Sequence, residues 1–300
     1  LASGQTATVI EIVPAEEPGL DAFEPVTREG RVPDTVRAAG IVGLGGAAFP
    51  TSVKLTPPKD MPVHTVILNG CECEPFLTCD HRLMLERPER VVAGARIIAD
   101  TVGAKRVVIG VEDNKPDAVE ALRRVSGDDV EVRSLTTRYP QGAEKQLILA
   151  VLGDEVPHGK LPAATGALVQ NVGTAVAIAD AVESGMPLVE RVVTITGNVA
   201  RPGNYLTLLG TPVSDLIEHA GGFAGEVGRV IAGGPMTGMG IADLSVPVVK
   251  GMSGVVVLDP GVTAPAVHGD QPCIRCGRCS EACPMSLQPF ALGIYANRSD

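Results

Sequence analysis

Between residues 63 and 185 the apolar pattern changes period repeatedly, and this alternation limits the fold more than any other feature of the chain. VHTVILNG (63–70), KRVVIGVED (105–113) and DVEVRSL (129–135) read as strands. ERVVAGARIIADTVGA (89–104) reads as a helix, with Val91, Ala95, Ile98 and Val102 on one face. KPDAVEALRRV (115–125), AEKQLILAVLG (143–153) and GTAVAIADAVESG (173–185) supply further helices. Strands separated by helices of this length predict an open, largely parallel sheet covered on both faces, an α/β architecture.

The flanks read differently. QTATVIEIV (5–13) alternates like a strand, and PAEEPGLDAFEP (14–25) has the composition of a linker, so residues 1–28 read as the remnant of a preceding domain. Pro33 opens a helix that Gly40 ends, leading into the glycine loop GLGGAAF (43–49). Near residue 190 the pattern shifts to a compact α+β module. RVVTITGNVARPGNY (191–205) forms two strands about a Pro-Gly turn, and TPVSDLIEHAGG (211–222) a short helix with Thr211 as cap, Pro212 at its first position and Gly221 past its end. RVIAGG (229–234) and SGVVVL (253–258) add strands. After the linker 259–271 comes a cysteine run, with a helical pattern over 284–298. The expected units are 29–188, 189–263 and 264–300.

That run is Cys273-x2-Cys276-x2-Cys279-x3-Cys283-Pro284. Three thiolates at three-residue steps, followed by a fourth and a proline, are the bacterial ferredoxin pattern for a [4Fe–4S] cluster, whereas structural zinc more often takes two spaced C-x2-C pairs. In two-cluster ferredoxins the fourth cysteine ligates the other cluster, so whether Cys283 completes its own cluster is open. Cys71, Cys73 and Cys79 read as small buried or loop residues, and the five histidines, none paired at metal spacing, as structural.

The net charge of −10, without a cluster of Lys or Arg, excludes nucleic acid as a partner. No run of about 20 apolar residues predicts a membrane span. The opening lacks a signal peptide and reads as the interior of a larger protein. An odd count of seven cysteines, four of them crowded together, points to a reducing compartment, the cytosol.

GLGGAAF contains G-x-G-x-x-A at Gly43, Gly45 and Ala48, but a helix precedes it and Phe49-Pro50 follows, so the dinucleotide fingerprint lacks its strand-loop-helix context. The longer stretches GIVGLGGAAFPTSVKL (40–55) and ILNGCECEPFLTCDHRLM (67–84) resemble the flavin-binding subunit of respiratory NADH dehydrogenase, and more closely the RnfC family of the Rnf ion-translocating electron transport complex. VEDNKP (111–116), RYPQGAEKQL (138–147), VPHGKLP (156–162), VQNVGTA (169–175), RVVTITGNVARPGN (191–204), GGPMTGM (233–239) and VPVVK (246–250) carry the same resemblance in order. It implies a Rossmann-like FMN and NAD(H) domain, a β-grasp module of the soluble-ligand-binding kind and a helical ferredoxin-like segment. It also implies a peripheral subunit on the cytoplasmic face of a membrane complex, with NADH, ferredoxin and other subunits as partners. FMN would link hydride transfer from NAD(H) to single-electron transfer through [4Fe–4S], two clusters being expected across the family.

Carried onto this chain, the resemblance implies FMN contacts from Gly43, Gly45 and Gly46, where backbone approaches a ring and a phosphate. Lys54 supplies charge to the phosphate or a flavin oxygen, or is a solvated lysine. Phe49 stacks on nicotinamide or adenine, or fills the core. Asn69, just past a strand, and Asn171 offer amides at strand ends, where ligands of open α/β sheets gather. Glu72 and Glu74, alternating about Cys73 in an extended segment, would point to one side and meet ribose hydroxyls and the flavin. Tyr139, Gly142 and Glu144 precede or open a helix whose amides favour anions. Thr174 would cap another helix and touch the phosphate. The flavin subunit of respiratory NADH dehydrogenase has arginine in place of Leu44 and glycine in place of Ala48, which weakens the nucleotide expectation more than the flavin one. A cobalamin reductase of bacterial microcompartments shares the loop, ECEP and β-grasp features, and a non-catalytic wiring and docking subunit would tolerate Leu44; both readings stay open on residues alone.

Overall fold

The computed structural model describes residues 25–26, 30–263, 273–283 and 285–297. The expected strand at 5–13, most of the first linker and most of the linker after 259 lie outside them. In the first unit, a four-stranded sheet is entirely parallel, in the order β3-β2-β1-β4. Its strands are β1 (Thr65–Gly70), β2 (Arg106–Glu112), β3 (Val130–Leu135) and β4 (Ala167–Asn171). Side chains alternate between two cores, as a period of two requires. Val66, Leu68, Ile109 and Leu168 face α1 (Val32–Ala38), α4 (Pro88–Val102), α5 (Pro116–Ser126) and α7 (Val172–Ser184). Ile67, Val108 and Val169 face α6 (Glu144–Leu152) on the other side. This explains the near-continuous apolar strands. Val91, Ala95 and Ile98 of α4 are buried, as the helical spacing predicts.

Chain order along the sheet runs outward from β1 through β2 to β3, then returns to place β4 on the free side of β1. The switch point, where ligands of open α/β sheets collect, therefore lies between the carboxyl ends of β1 and β4. Short α2 (Thr51–Lys54) and α3 (Cys79–Glu86), which have too few turns to show a period in sequence, flank that edge.

The second unit is a five-stranded sheet in the order β6-β5-β9-β7-β8, mixed in direction, with α8 (Val213–His219) on one face. The strands are β5 (Glu190–Gly197), β6 (Gly203–Leu208), β7 (Arg229–Ala232), β8 (Met239–Ile241) and β9 (Gly254–Leu258). The hairpin about Pro202-Gly203 forms as expected, and α8 starts one residue later than the sequence indicates, with Pro212 in the cap position. Three-residue β8 escapes sequence reading. A short α9 (Pro260–Thr263) follows. Beyond it, α10 (Arg278–Ala282) carries Cys279, and α11 (Pro289–Asn297) matches the helical pattern at the end of the chain.

Candidate functional site

The glycine loop is a closed excursion held at its neck. Gly43 N donates to Phe49 O at 2.8 Å, and Val42 bridges Pro50. Gly46 takes φ +108°, open to glycine alone without strain, and Ala48 takes φ +49°, a left-handed turn for which glycine is better suited. The tip, 45–49, is exposed, with Phe49 51% accessible, so the core role for Phe49 does not hold. The loop's base is gripped from both units. Thr174 Oγ1 accepts the Leu44 amide at 2.9 Å, Arg191 reaches Leu44 O, Lys250 Nζ donates to Gly40 O at 2.6 Å, and Gly251 packs on Gly46.

Asn171 ends β4 and caps α7. Its side-chain oxygen accepts Gly173 N at 2.8 Å and Thr174 N at 3.3 Å, while its Nδ2 donates to Asp80 Oδ2 at 2.6 Å. A Cβ at Gly45 would lie 3.4 Å from that of Asn171, so loop and strand end touch. Thr174 is not the cap. It lies inside the first turn, fully buried, and acts on the loop through Leu44. Asn69 lies within β1 rather than past it; its Nδ2 donates to Gly142 O at 2.8 Å and its Oδ1 accepts Cys71 N at 3.2 Å. Gly142 packs tightly on Cys73, whose Sγ would lie 3.1 Å from an added Cβ and would have to give way by a few tenths of an ångström. Tyr139 is 54% exposed on the same loop. Lys54 and Glu144, both partly exposed, pair at 2.6 Å, and Lys54 also donates to Val169 O at 2.7 Å on the free edge of β4. Nothing in the sequence near either residue indicates that pairing across 90 positions.

Glu72 and Glu74 do not point to one side. Glu72 adopts φ +45°, which breaks the strand-like alternation between them. Its carboxylate turns inward to accept Asp80 N at 2.7 Å and His81 N at 2.9 Å at the start of α3. Glu74 instead reaches the second unit, accepting Met236 N at 3.0 Å and Thr237 N at 2.8 Å together with the Thr237 hydroxyl. A side chain on Gly234 would displace this carboxylate, since an added Cβ would lie 2.3 Å from Glu74 Oε2.

Glu72, Cys79 and Asp80 bring their polar atoms within 4.8 Å of one another. Burial, with the Asp80 charge beside it, pushes the Glu72 carboxyl up to about 7. Burial also raises Asp80, against the opposing pull of Asn171 and Arg191, and raises the Cys79 thiol. Burial lowers the Arg191 guanidinium, while the neighbouring Cys79 and Asp80 oppose that shift, so Arg191 is the positive charge facing this cluster. An acid whose pKa rises on folding binds more protons in the native state, so its contribution is present below the unfolded pKa and lost as pH rises through the folded one. Native protein should therefore lose about 2 kcal/mol between pH 5 and pH 8 that Glu72→Gln does not lose, measured by urea unfolding at both pH values. Equal pH dependence in the two proteins would contradict the raised Glu72.

All seven cysteines are free. Cys71 and Cys79 are buried and Cys73 half-buried, as expected for small packing residues. Cys273, Cys276 and Cys279 are exposed, and Cys283 lines a cleft with Arg138 and Tyr139, which places the cysteine run beside the carboxyl-edge loops.

Fold and site together define a flavin-domain protein with an appended β module. Residues 36–180 match the Nuo51 FMN-binding domain and 192–240 the SLBB domain. The chain is 50% identical over 267 residues to the C subunit of the proton-translocating ferredoxin:NAD(+) oxidoreductase complex of Clostridium ljungdahlii, covering 88% of this chain and 58% of that protein. It is 46% identical over 296 residues to the Na(+)-translocating counterpart of Acetobacterium woodii, covering 95% and 66%. Against the C subunit of the ion-translocating oxidoreductase complex of Rhodobacter capsulatus the identity is 43% over 311 residues, covering 100% and 59%. The chain thus spans roughly three fifths to two thirds of the length of these relatives. A crystal structure of NAD+-reducing [NiFe]-hydrogenase in the air-oxidized state superimposes with a TM-score of 0.66 at 25% identity, over 81% of this chain and 49% of that one. The chain belongs to the RnfC family, the C subunits of Rnf-type ion-translocating oxidoreductase complexes. No helix among the described residues is long and apolar enough to cross a membrane.

Proposed function

We propose that this chain forms the flavin- and cluster-bearing part of a peripheral subunit on the cytoplasmic face of the membrane. There it passes electrons between NAD(H), FMN and [4Fe–4S] clusters in ferredoxin:NAD oxidoreduction coupled to ion transport. The observation that carries this reading is the contact of the glycine loop with Asn171, whose register partner Asn69 holds Gly142, at the switch point of a parallel sheet. The residues suit a flat, anionic group. Gly45 and Gly46 present bare backbone, Lys54 stands at the rim, and two buried polar atoms flanking the site, Thr51 Oγ1 and Gln170 Nε2, lack a partner among the described residues.

Bound FMN supplies the exchange between two-electron hydride chemistry and single-electron transfer. The backbone at Gly43, Gly45 and Gly46 receives ring and phosphate, with Lys54 and Glu144 at the edge. Asn69 and Thr174 position Gly142 and Leu44, which they already hold. Phe49 and Tyr139 offer exposed rings to nicotinamide or adenine. Glu74 reaches a ribose only by leaving the 233–238 loop, and Glu72 contributes through the start of α3. Cys273, Cys276 and Cys279, with Cys283, hold the cluster in a ferredoxin-like segment, close to Tyr139 across the shared cleft. Units divide near 188 and 263. Ferredoxin and the ion-moving subunits are the partners.

Full-length protein loaded with FMN, iron and sulfide should quench flavin fluorescence at one equivalent, and its flavin absorption should bleach with NADH. Absence of both would overturn the reading. Cys276→Ser is expected to lose the cluster's iron and its visible absorption while binding FMN as before. Unchanged iron content would remove the run from the ligand set.

A further inference from the structure

The ladder of the parallel sheet stops short of the site. Its last pairs are Gly70 with Val111 and Glu112 with Leu135, yet the loops 71–74 and 136–142 beyond them must keep a fixed register to present Cys73, Tyr139 and Gly142 together. Between those loops lies a buried ion pair, Glu112 at 1% and Lys115 at 7% exposure, joined at 3.1 Å. The ammonium of Lys115 carries three donors. One goes to Glu112 Oε2, one to Asn114 Oδ1 at 3.0 Å, and one to Cys71 O at 2.8 Å in the first loop. The other oxygen of Glu112 accepts Arg138 N at 3.4 Å in the second loop. Asp113 adds an exposed anchor, its Oδ1 accepting Thr137 N at 3.0 Å and the Thr137 hydroxyl at 2.6 Å. From there the loop runs to Gly142, which Asn69 ties back to β1.

A buried ion pair loses hydration that its mutual attraction scarcely repays, and apolar groups of the same volume often serve stability equally well. What apolar groups lack is direction. The bond to Cys71 O fixes a carbonyl of the first loop and the bond from Arg138 N an amide of the second, on either side of β2. We infer that Glu112 and Lys115 are positioning residues that continue the register of the sheet past its last ladder bonds, setting the 71–74 and 136–142 loops against each other. The geometry concerns this chain alone; its consequence for flavin rests on the function proposed above.

The test uses the full chain, first without flavin. In the double variant Glu112→Met/Lys115→Met, both charges and all of the pair's hydrogen bonds to the two loops go while the volume changes little. Amide hydrogen exchange in both loops is expected to rise at least tenfold, with the melting temperature and the exchange of β1, β2 and β4 as in the native protein. Asp113→Ala, which removes only the Thr137 anchor, should loosen 136–142 and leave 71–74 unchanged. After flavin addition, the double variant should bind FMN at least tenfold more weakly. Native exchange in the loops of the double variant would overturn the inference. So would a rise spread over the whole sheet, failure of the double variant to fold, or loosening of both loops by Asp113→Ala. If native protein itself bound no FMN, the flavin reading would fall, while the exchange data would still decide the role of the pair.

Discussion

Gly94→Ala is expected to destabilise the protein by on the order of 3 kcal/mol, although it replaces the poorest ordinary helix former with the best. Helix propensity alone gives the opposite sign, a gain of about 1 kcal/mol. The neighbouring helix decides the matter. A Cβ on Gly94 of α4 would lie 2.0 Å from Ala175 O and 2.4 Å from Ala175 C, both backbone atoms of α7 that no rotamer change can move. Gly94 is buried and Ala175 fully so, hence the helices can only separate, opening the core shared by Val91, Ala95, Ile98 and Ile178. For a chain of this size the loss corresponds to a melting temperature lower by roughly 6–12 °C. Because α7 begins at the Asn171 cap, FMN affinity should fall with it. A melt at or above the native value would show that α7 is not fixed where the structure places it.

The second large effect is expected from Asn171→Ala. One side chain caps α7, donates to Asp80 and supports Gly45. Loss of the cap alone costs about 1 kcal/mol. Asp80 loses the donor that holds its carboxyl down against burial, so its pKa rises further. FMN binding should weaken more than tenfold, beyond what the stability loss explains, as read by fluorescence titration under conditions where the variant remains folded. Asn171→Asp separates the roles. It keeps a capping acceptor but sets a second carboxylate against Asp80, so it should retain helix α7 and still bind FMN poorly at pH 8. Tight binding by both variants would remove Asn171 from the flavin site.

Much of the α/β frame was legible because buried parallel strands and amphipathic helices write their period directly into the sequence. The strands at 65–70, 106–112 and 130–135 and the helices at 88–102, 116–126 and 172–184 fall where the alternation puts them. Asn69 and Asn171 were legible as residue types at strand ends, and the glycine loop as a turn following a helix. Their partners were not. Lys54 finds Glu144, Thr174 finds Leu44, and Glu74 finds the 233–238 loop, all through tertiary contacts that no local pattern encodes. The reading of Glu72 and Glu74 as a matched pair failed for one torsional reason. Alternation presumes extended backbone, and Glu72 has φ +45°. Likewise Thr174 resembles a cap in sequence, but Asn171 three residues earlier takes that place, since its shorter reach to Gly173 and Thr174 comes from the extended conformation at the strand end.

Glu74 sits at the carboxyl end of the first sheet, yet its carboxylate is hooked around backbone amides of the hairpin between β7 and β8. That arrangement works like a tether between two bodies. A ligand that took hold of Glu74 would have to draw its carboxylate off those amides and so release the hairpin from the segment holding Cys73. Glu74 is thus one side-chain link between the second unit and the switch-point loops, beside those of Arg191 and Lys250, with Gly234 as the clearance that lets the hook close.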